Sequence, residues 1–504
     1  MAATESRAEG ERLERGILVI AAVVAIGAIM SILDATIVNV ALATLSRDLH
    51  ASLSTIQWVA SGYLVALAVV IPLTGWASER FGAKRLWMTV LCLFVVGSVL
   101  SGVAWSAGSL VLFRVLQGLG GGMIMPAGMI ILAQAAGPQR IGSVMSVVGA
   151  PMLLGPILGP VLGGLILEHL SWCWIFYVNV PIGALALALA YRLLPRSEPQ
   201  PCERLDLRGF VLLSPGLAAI VFGLSETSSH GGVTYAGVWG PILAGLVLVA
   251  AFVTHALRMS GPPLLDLTLF RQPSFAAAAV LVLLVGAALF GSLILIPLYL
   301  QIDRGQSVLA TGLLTAPQGV GAALVMPISG RLTDRIGGGP VTLVGLLIMT
   351  AGTIGLTGLT AHTPYTVTSA ILVLRGIGLG CSMMPSMAAA YASLSRAAVP
   401  RATTALNVLQ RVGGSIGTAL LAVVLEDQIK VAIPGGVGVG GGALEHIPPE
   451  IRAHVAEPLA HAFTQTFWWA VALTAAGLLP ALVLAFRVRG PATTRTRAGA
   501  PQAA

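Results

Sequence analysis

One carboxylate stands alone in a long apolar stretch. Asp34, within SILDATIVNVAL from Ser31 to Leu42, is the only charged residue between Arg15 and Arg47. An acid held away from water is costly unless it is paired or faces a wet cavity, so its position marks a candidate for proton exchange. Arg114, in FRVLQGLGGGMIMP, is its natural partner. Burial favours the neutral acid, whereas a guanidinium favours the carboxylate. A group balanced between the two can trade a proton for a substrate. A permanent ion pair fixing two helices is the competing reading. Asn39, Gln57, Tyr63, Gln117, Asn407 and Arg411 lie in comparable apolar stretches and are candidates for substrate contact. Arg375 and Arg411 could bind an anionic group or simply pair with helix carbonyls.

The elements that must hold these groups follow from composition. Of 504 residues, 56% are hydrophobic and 10% charged, and the mean hydropathy of +0.90 lies far outside the soluble range. Long apolar runs joined by short polar segments predict spanning helices, because lipid offers no partner to open backbone. Fourteen runs begin near Gly16, Thr55, Leu86, Ser109, Ile141, Trp174, Gly209, Gly237, Phe275, Leu309, Val341, Val367, Ala402 and Phe463. With both termini inside, inner segments hold 21 of the 28 basic residues. Outer segments hold only Arg47, Arg304, Lys430 and Arg452, and Arg114, Arg375 and Arg411 fall within spans. That bias is the one expected of cytoplasmic loops. The net charge of +8 therefore answers an anionic leaflet and gives no reason to expect nucleic-acid binding. By depth, Asp34 lies about 27 Å up its helix and Arg114 about 9 Å below the outer start of its own, which brings the two to one level. The first span is too long for a signal peptide's apolar core and is expected to be a retained anchor.

The chain also repeats itself. GWASERFGAKR (Gly75 to Arg85) returns as GRLTDRIGG (Gly330 to Gly338), and Arg114 as Arg375, at offsets of 255 and 261 residues. Two six-helix halves with a site between them near the midplane would give such a pattern. The expected organisation is an N-terminal bundle (1–198), a linker and two inserted helices (199–262), and a C-terminal bundle (263–504) with a long outer loop at about 428–460. In the fifth run Gly155, Gly159 and Gly163 recur every four residues, so one helix face can approach a neighbour closely, and Pro156 and Pro160 each remove a backbone donor. That face suits either a moving gate or ordinary tight packing.

GPILGPVLGG (Gly155 to Gly164) fits a signature of antiporters of the major facilitator superfamily. LDATIVNVAL resembles the first-span signature of its fourteen-span drug:proton antiporters, the QacA/EmrB type. WCWIFYVNVPIG and NVLQRVGGSIG are similar to their sixth-span and thirteenth-span stretches. Cys173, Glu79, Ala77 and the Gln410–Arg411 order depart from that pattern. The resemblance implies an all-α membrane protein with the major facilitator fold. It also implies that Glu79, Arg80, Gly82 and Lys84, echoed by Asp334 and Arg335, form a cytoplasmic latch, with Gly155, Pro156, Gly159, Pro160 and Gly163 as gating residues.

The expected function is proton-coupled antiport that exports amphiphilic, cationic drugs or toxic compounds across a bacterial cytoplasmic membrane by alternating access. Export of an endogenous lipid or metabolite is the alternative within transport, and a nontransporting membrane sensor the alternative outside it. The expected partners are a small-molecule substrate, protons and lipid, acting on a monomer. Neither cofactor, metal nor enzyme activity is expected. Cys92, Cys173, Cys202 and Cys381 show no paired spacing, and the GxSxG-like GGSIG lies inside an apolar run with no strand before it. Beyond the thirteenth run, His446, Glu450, His454, Glu457 and His461 are spaced as on an amphipathic surface helix broken near Pro458.

Overall fold

The computed structural model describes residues 2–137, 140–197, 199, 204–230, 236–259, 261–392, 394–432 and 449–487, with backbone alone at 2–15, 53, 150–154, 156–157, 227–230, 236, 308, 449–455 and 487. Every regular element among them is helical. In the N-terminal half these are α1 (Ala2–Asp48), α2 (Leu53–Val70, running through a 3-10 turn at Ile71–Leu73 into Thr74–Phe81), α3 (Ala83–Gly102), α4 (Ala107–Ala136), α5 (Ile141–His169) and α6 (Asn179–Leu193). Then come α7 (Leu207–His230) and α8 (Ala236–Arg258). The C-terminal half holds α9 (Pro273–Leu298), α10 (Val308–Ile336), α11 (Gly338–Leu356), α12 (Tyr365–Tyr391), α13 (Val399–Ala432) and α14 (Pro449–Ala476, continued by Leu478–Arg487). Thirteen helices are long and apolar enough to cross a membrane among the described residues. The fifth run falls on α5, of which only Leu158–His169 counts there, as a shorter apolar helix.

Local chemistry sets the helix ends. Ser52 and Ser307 cap α2 and α10 by accepting from Thr55 N and Ala310 N, and Ser106 with Ser109 forms a capping box on α4. Gly82 and Gly337, 255 residues apart, both carry left-handed φ, +83° and +88°. Only a residue without Cβ turns the chain there at no cost, so the repeat extends to backbone conformation.

The packing repeats too. In the first half α1 packs on α5, and α4 on both α2 and α3. In the second α9 packs on α13, and α12 on both α10 and α11. The two lines of contact between the halves differ. On one side α5 packs directly along α10, whereas on the other α7 contacts both α2 and α13. Trp58 of α2 stacks on Phe222 of α7 with ring centroids 5.4 Å apart. Helices α7 and α8 are clamped at their base by Asp206, whose Oδ1 accepts from Gly209 N at 2.8 Å and is 2.9 Å from His255 Nε2.

The segment before the last span differs from its expected form. Helix α13 continues through Ala432 and α14 begins at Pro449, so helix enters the segment 428–460 from both ends, and residues 433–448 lie outside the described residues. Pro458 sits inside α14 without ending it. Leu459, Ala460 and Phe463 just beyond the proline are buried, with Leu459 and Phe463 in a core cluster with Tyr299 and Leu425, packing that a lone surface helix would lack. Glu457 and His461 lie on that helix, whereas His446 and the side chains of Glu450 and His454 lie outside the described residues.

Candidate functional site

Asp34 sits mid-helix on α1 and is fully enclosed. Its Oδ2 accepts from Arg114 Nη1 of α4 at 2.6 Å, and its Oδ1 accepts from Gln117 Nε2 of α4 and Asn179 Nδ2 of α6, both at 2.9 Å. Three charged or amide side chains from two helices thus converge on one carboxylate, an arrangement in which a buried charge becomes tolerable. Asn179 Nδ2 also lies 3.0 Å from Ser98 Oγ, which donates to Phe176 O at 2.9 Å. Arg114 makes further contacts of its own. Its Nε donates to Val59 O at 3.2 Å, Nη1 also donates to Gln117 Oε1 at 2.6 Å, and the guanidinium lies 4.1 Å from the Tyr63 ring centroid.

Sequence reasoning missed Asn179 and Ser98. Asn179 was visible as the one amide in the apolar run WCWIFYVNVPIG. Of the substrate-contact candidates, Gln117 and Tyr63 belong to this buried cluster. Asn407 is nearly buried and its Nδ2 donates to Thr403 O at 2.9 Å, within its own helix. Asn39, Gln57 and Arg411 are exposed. Asp34 is not the only buried acid. Glu426, on α13, pairs with Lys430 at 2.5 Å. Asp303 closes a π-turn after α9, and both its carboxylate oxygens lack hydrogen bonds among the described residues.

The second half holds a counterpart without the acid. Arg375 is equally buried. It donates to Thr353 Oγ1 at 3.2 Å, Gln318 Oε1 at 2.9 Å and Ala288 O at 3.3 Å. Ala288 lies 254 residues after Asp34, so a backbone carbonyl occupies the carboxylate's place. The titratable pair therefore exists on one side only.

A second constellation joins the halves at the end that the charge bias assigns to the cytoplasm. Arg401, at the start of α13, grips Glu79 with both arms, Nε to Oε1 and Nη2 to Oε2, each 3.1 Å. Asp334, at the end of α10, accepts from Gly142 N at 2.8 Å, Ser143 N at 3.1 Å and Ser143 Oγ, capping α5. An anion at a helix N-terminus is favoured by the free amides and the dipole. Both contacts are backed by close approach. A Cβ on Gly75 would lie 3.0 Å from Thr404 Oγ1, and one on Gly330 would lie 2.8 Å from Gly142 O.

The remaining latch candidates do not cross between the halves. Lys84 Nζ donates to Tyr191 O at 2.9 Å and Leu194 O at 2.6 Å, which ties α3 to the end of α6. A lysine two residues after the turn made by Gly82 reaches the nearest helix C-terminus, where free carbonyls attract it. Arg80 and Arg335 are exposed without a partner among the described residues. Gly82 turns against Ser197, whose carbonyl leaves no room for a Cβ. Arg401, counted in the sequence only as a loop charge, is the residue that completes the contact.

The glycine face of α5 seats α1. Gly155 lies against Ile32, Gly159 against Thr36 and Gly163 against Ile37, with no space for a Cβ at the first two. These residues flank Asp34. Pro160 is half-buried on the same helix, and the Pro156 side chain lies outside the described residues. A cleft of about 580 Å³ opens beside the Glu79 contact, between Ser78, Gln134, Arg196 and Arg396. No group of three His, Cys, Asp or Glu side chains that could hold a metal is present among the described residues.

The comparisons agree with this architecture. The model of the Major Facilitator Superfamily matches residues 24–418. A multidrug resistance protein B homolog of Mycobacterium tuberculosis is 40% identical over 497 residues, covering 95% of this chain and 92% of that protein. The tetracenomycin C resistance and export protein of Streptomyces glaucescens is 32% identical over 422 residues, covering 82% and 76%. Among solved structures, a double tryptophan mutant of XylE superposes with a TM-score of 0.63 at 15% identity, over 94% of this chain and 97% of that one.

Proposed function

Because the chain belongs to the major facilitator superfamily, a family of membrane transporters, we propose that it exports amphiphilic compounds across a bacterial cytoplasmic membrane in exchange for protons, with Asp34 as the group that carries the proton. The observation that carries this reading is the enclosed Asp34–Arg114 contact of 2.6 Å inside a spanning helix. Relatives named for multidrug resistance and for export favour the outward direction.

The geometry suggests how a proton could move helices. Ionised, Asp34 pins α1 to α4 and α6 through Arg114, Gln117 and Asn179. Protonation removes the charge that Arg114 balances and turns one acceptor oxygen into a donor, so the staple loosens. Helix α5 is the transmitting element. Its middle seats the residues around Asp34 through Gly155 and Gly159, and its first turn is the one held by Asp334 of the other half. A shift of α1 thereby bears on the contact between halves through a single rigid helix. In this account both termini are cytoplasmic, and a monomer cycles by rocking 1–198 against 263–504, with 199–262 as an inserted pair. The state described is closed on the cytoplasmic side by Glu79–Arg401 and Asp334.

Everted vesicles carrying the protein test the reading. A fluorescent amphiphile should accumulate when a proton gradient is imposed and leak when a protonophore collapses it, and Asp34→Asn should abolish the difference at equal protein levels. Gradient-independent accumulation would exclude proton coupling, and none at all would favour a sensor.

A further inference from the structure

A stripe of α13 that faces the other half carries a cation without an answering group. On α13, Pro400 and Thr404 press against Gly75 of the N-terminal half. Residues seven apart share a helix face, so two turns further along the same stripe stands Arg411. It lies about 10 Å beyond Thr404 and about 15 Å from Arg401 along the helix axis, which puts it near the middle of the span. Its side chain is exposed and makes no hydrogen bond or ion pair with any described residue. It comes close enough to Tyr63 of α2 for the two to interact electrostatically. The guanidinium therefore projects from one half toward the other, into space at mid-depth.

Nothing nearby neutralises it. Asp34 is enclosed, and its two oxygens are occupied by Arg114, Gln117 and Asn179. Thr404 Oγ1 donates to Pro400 O and Asn407 Nδ2 to Thr403 O, so the polar groups below Arg411 on its own helix are turned to backbone. Asp34 and Arg114 cancel, and Arg375 is enclosed within its own half by Thr353, Gln318 and Ala288, so Arg411 is the cation left facing the space between the halves. A permanently cationic cargo would double that charge in a low-dielectric setting, whereas an oxyanion would bring it to zero. A guanidinium presents a planar fork of donors that matches a carboxylate and also serves a phenolate.

We propose that Arg411 is the polar subsite of the transport cavity and takes the oxyanion end, carboxylate or phenolate, of an amphiphilic substrate. This rests on the export reading above and replaces its expected cationic cargo. Tyr63, buried with its ring 4.1 Å from the Arg114 guanidinium, belongs to the proton site and not to the substrate surface.

The test uses two xanthene dyes of opposite charge, fluorescein and tetramethylrhodamine methyl ester. Binding to detergent-purified full-length protein is read by fluorescence anisotropy at a mildly alkaline pH that keeps fluorescein anionic. Wild type should bind fluorescein about tenfold more tightly than the cation. Arg411→Gln should remove most of that preference, by weakening fluorescein and not the cation, and Arg411→Lys should keep most of it. Preference for the cation, absence of fluorescein binding, or an unchanged fluorescein affinity in Arg411→Gln would each overturn the assignment. Binding is measured without a gradient. Loss of proton-driven export with the charge preference intact would count against the antiport reading alone, and a reversed preference with export intact would count against this one alone.

Discussion

Removing both contacts that join the halves should populate a state open at the cytoplasmic end, by an amount the geometry sets. Glu79 offers two oxygens to Arg401 at 3.1 Å each. Hydrogen bonds to charged groups contribute about 1.5–3 kcal/mol and neutral ones about 0.5–1.5 kcal/mol. Glu79→Gln keeps one acceptor, loses the charge and sets an amide NH₂ against a guanidinium N–H. Arg401 is 22% exposed, so water recovers part of the loss, which leaves about 2 kcal/mol. Asp334→Asn likewise loses one acceptor and the anion at the start of α5, again about 2 kcal/mol. The two contacts share no residue and bias one equilibrium, so the double variant should shift it by about 4 kcal/mol, close to a thousandfold. Spin labels at Arg85→Cys and Arg331→Cys, both exposed, report the gate by pulsed electron–electron distance measurement once the four native cysteines are replaced. Each single variant should add a longer distance to the wild-type population, and the double variant should show mainly the longer one. A double variant with the wild-type distribution would refute the assignment of these contacts as the latch.

Other outcomes follow from the same structure. Asn179→Ala removes one hydrogen bond to the Asp34 carboxylate and one to the Ser98 hydroxyl, together about 2–4 kcal/mol. It should slow proton-driven vesicle export about tenfold at unchanged membrane levels, and a normal rate would make Asn179 a bystander. Gly159→Ala forces a methyl into Thr36 and should cost about 1–3 kcal/mol, lowering the thermal midpoint in detergent. Gly164→Ala, which meets nothing within 4 Å, should not, and equal midpoints would contradict the tight α1–α5 contact. In intact cells an impermeant thiol reagent should label Val431→Cys and spare Arg204→Cys, both in the cysteine-free background, and the opposite pattern would invert the topology.

What was legible in the sequence is what one dimension can carry. A lone acid in an apolar run and an arginine at matching depth identify each other, because charge in lipid demands a partner. Glu79 and Asp334 stand 255 residues apart, as do Gly82 and Gly337, and that repeat announced two halves built alike. Asn179 was harder to see, since an amide in an apolar run is inexpensive and carries no signal of what it bonds. Arg401 was hidden among loop charges. Its partner lies 322 residues away, and only the folded halves bring them together. Lys84 shows the converse, since motif membership suggested a latch and the nearest free carbonyls claimed the side chain. Arg411 looked ambiguous for the same reason. The proposed subsite rests on the arginine's helix face and on the lack of a hydrogen-bond acceptor for it among the described residues.

Whether Asp34 exchanges its proton for substrate is decided most directly by substrate-induced proton release from detergent-purified protein in weakly buffered solution, since this does not depend on turnover. Adding substrate to the wild type should release protons in proportion to the amount bound. The Asp34→Asn variant, which keeps the size and polarity of the protonated acid, should bind and release none. Equal release from both would remove Asp34 from the coupling step.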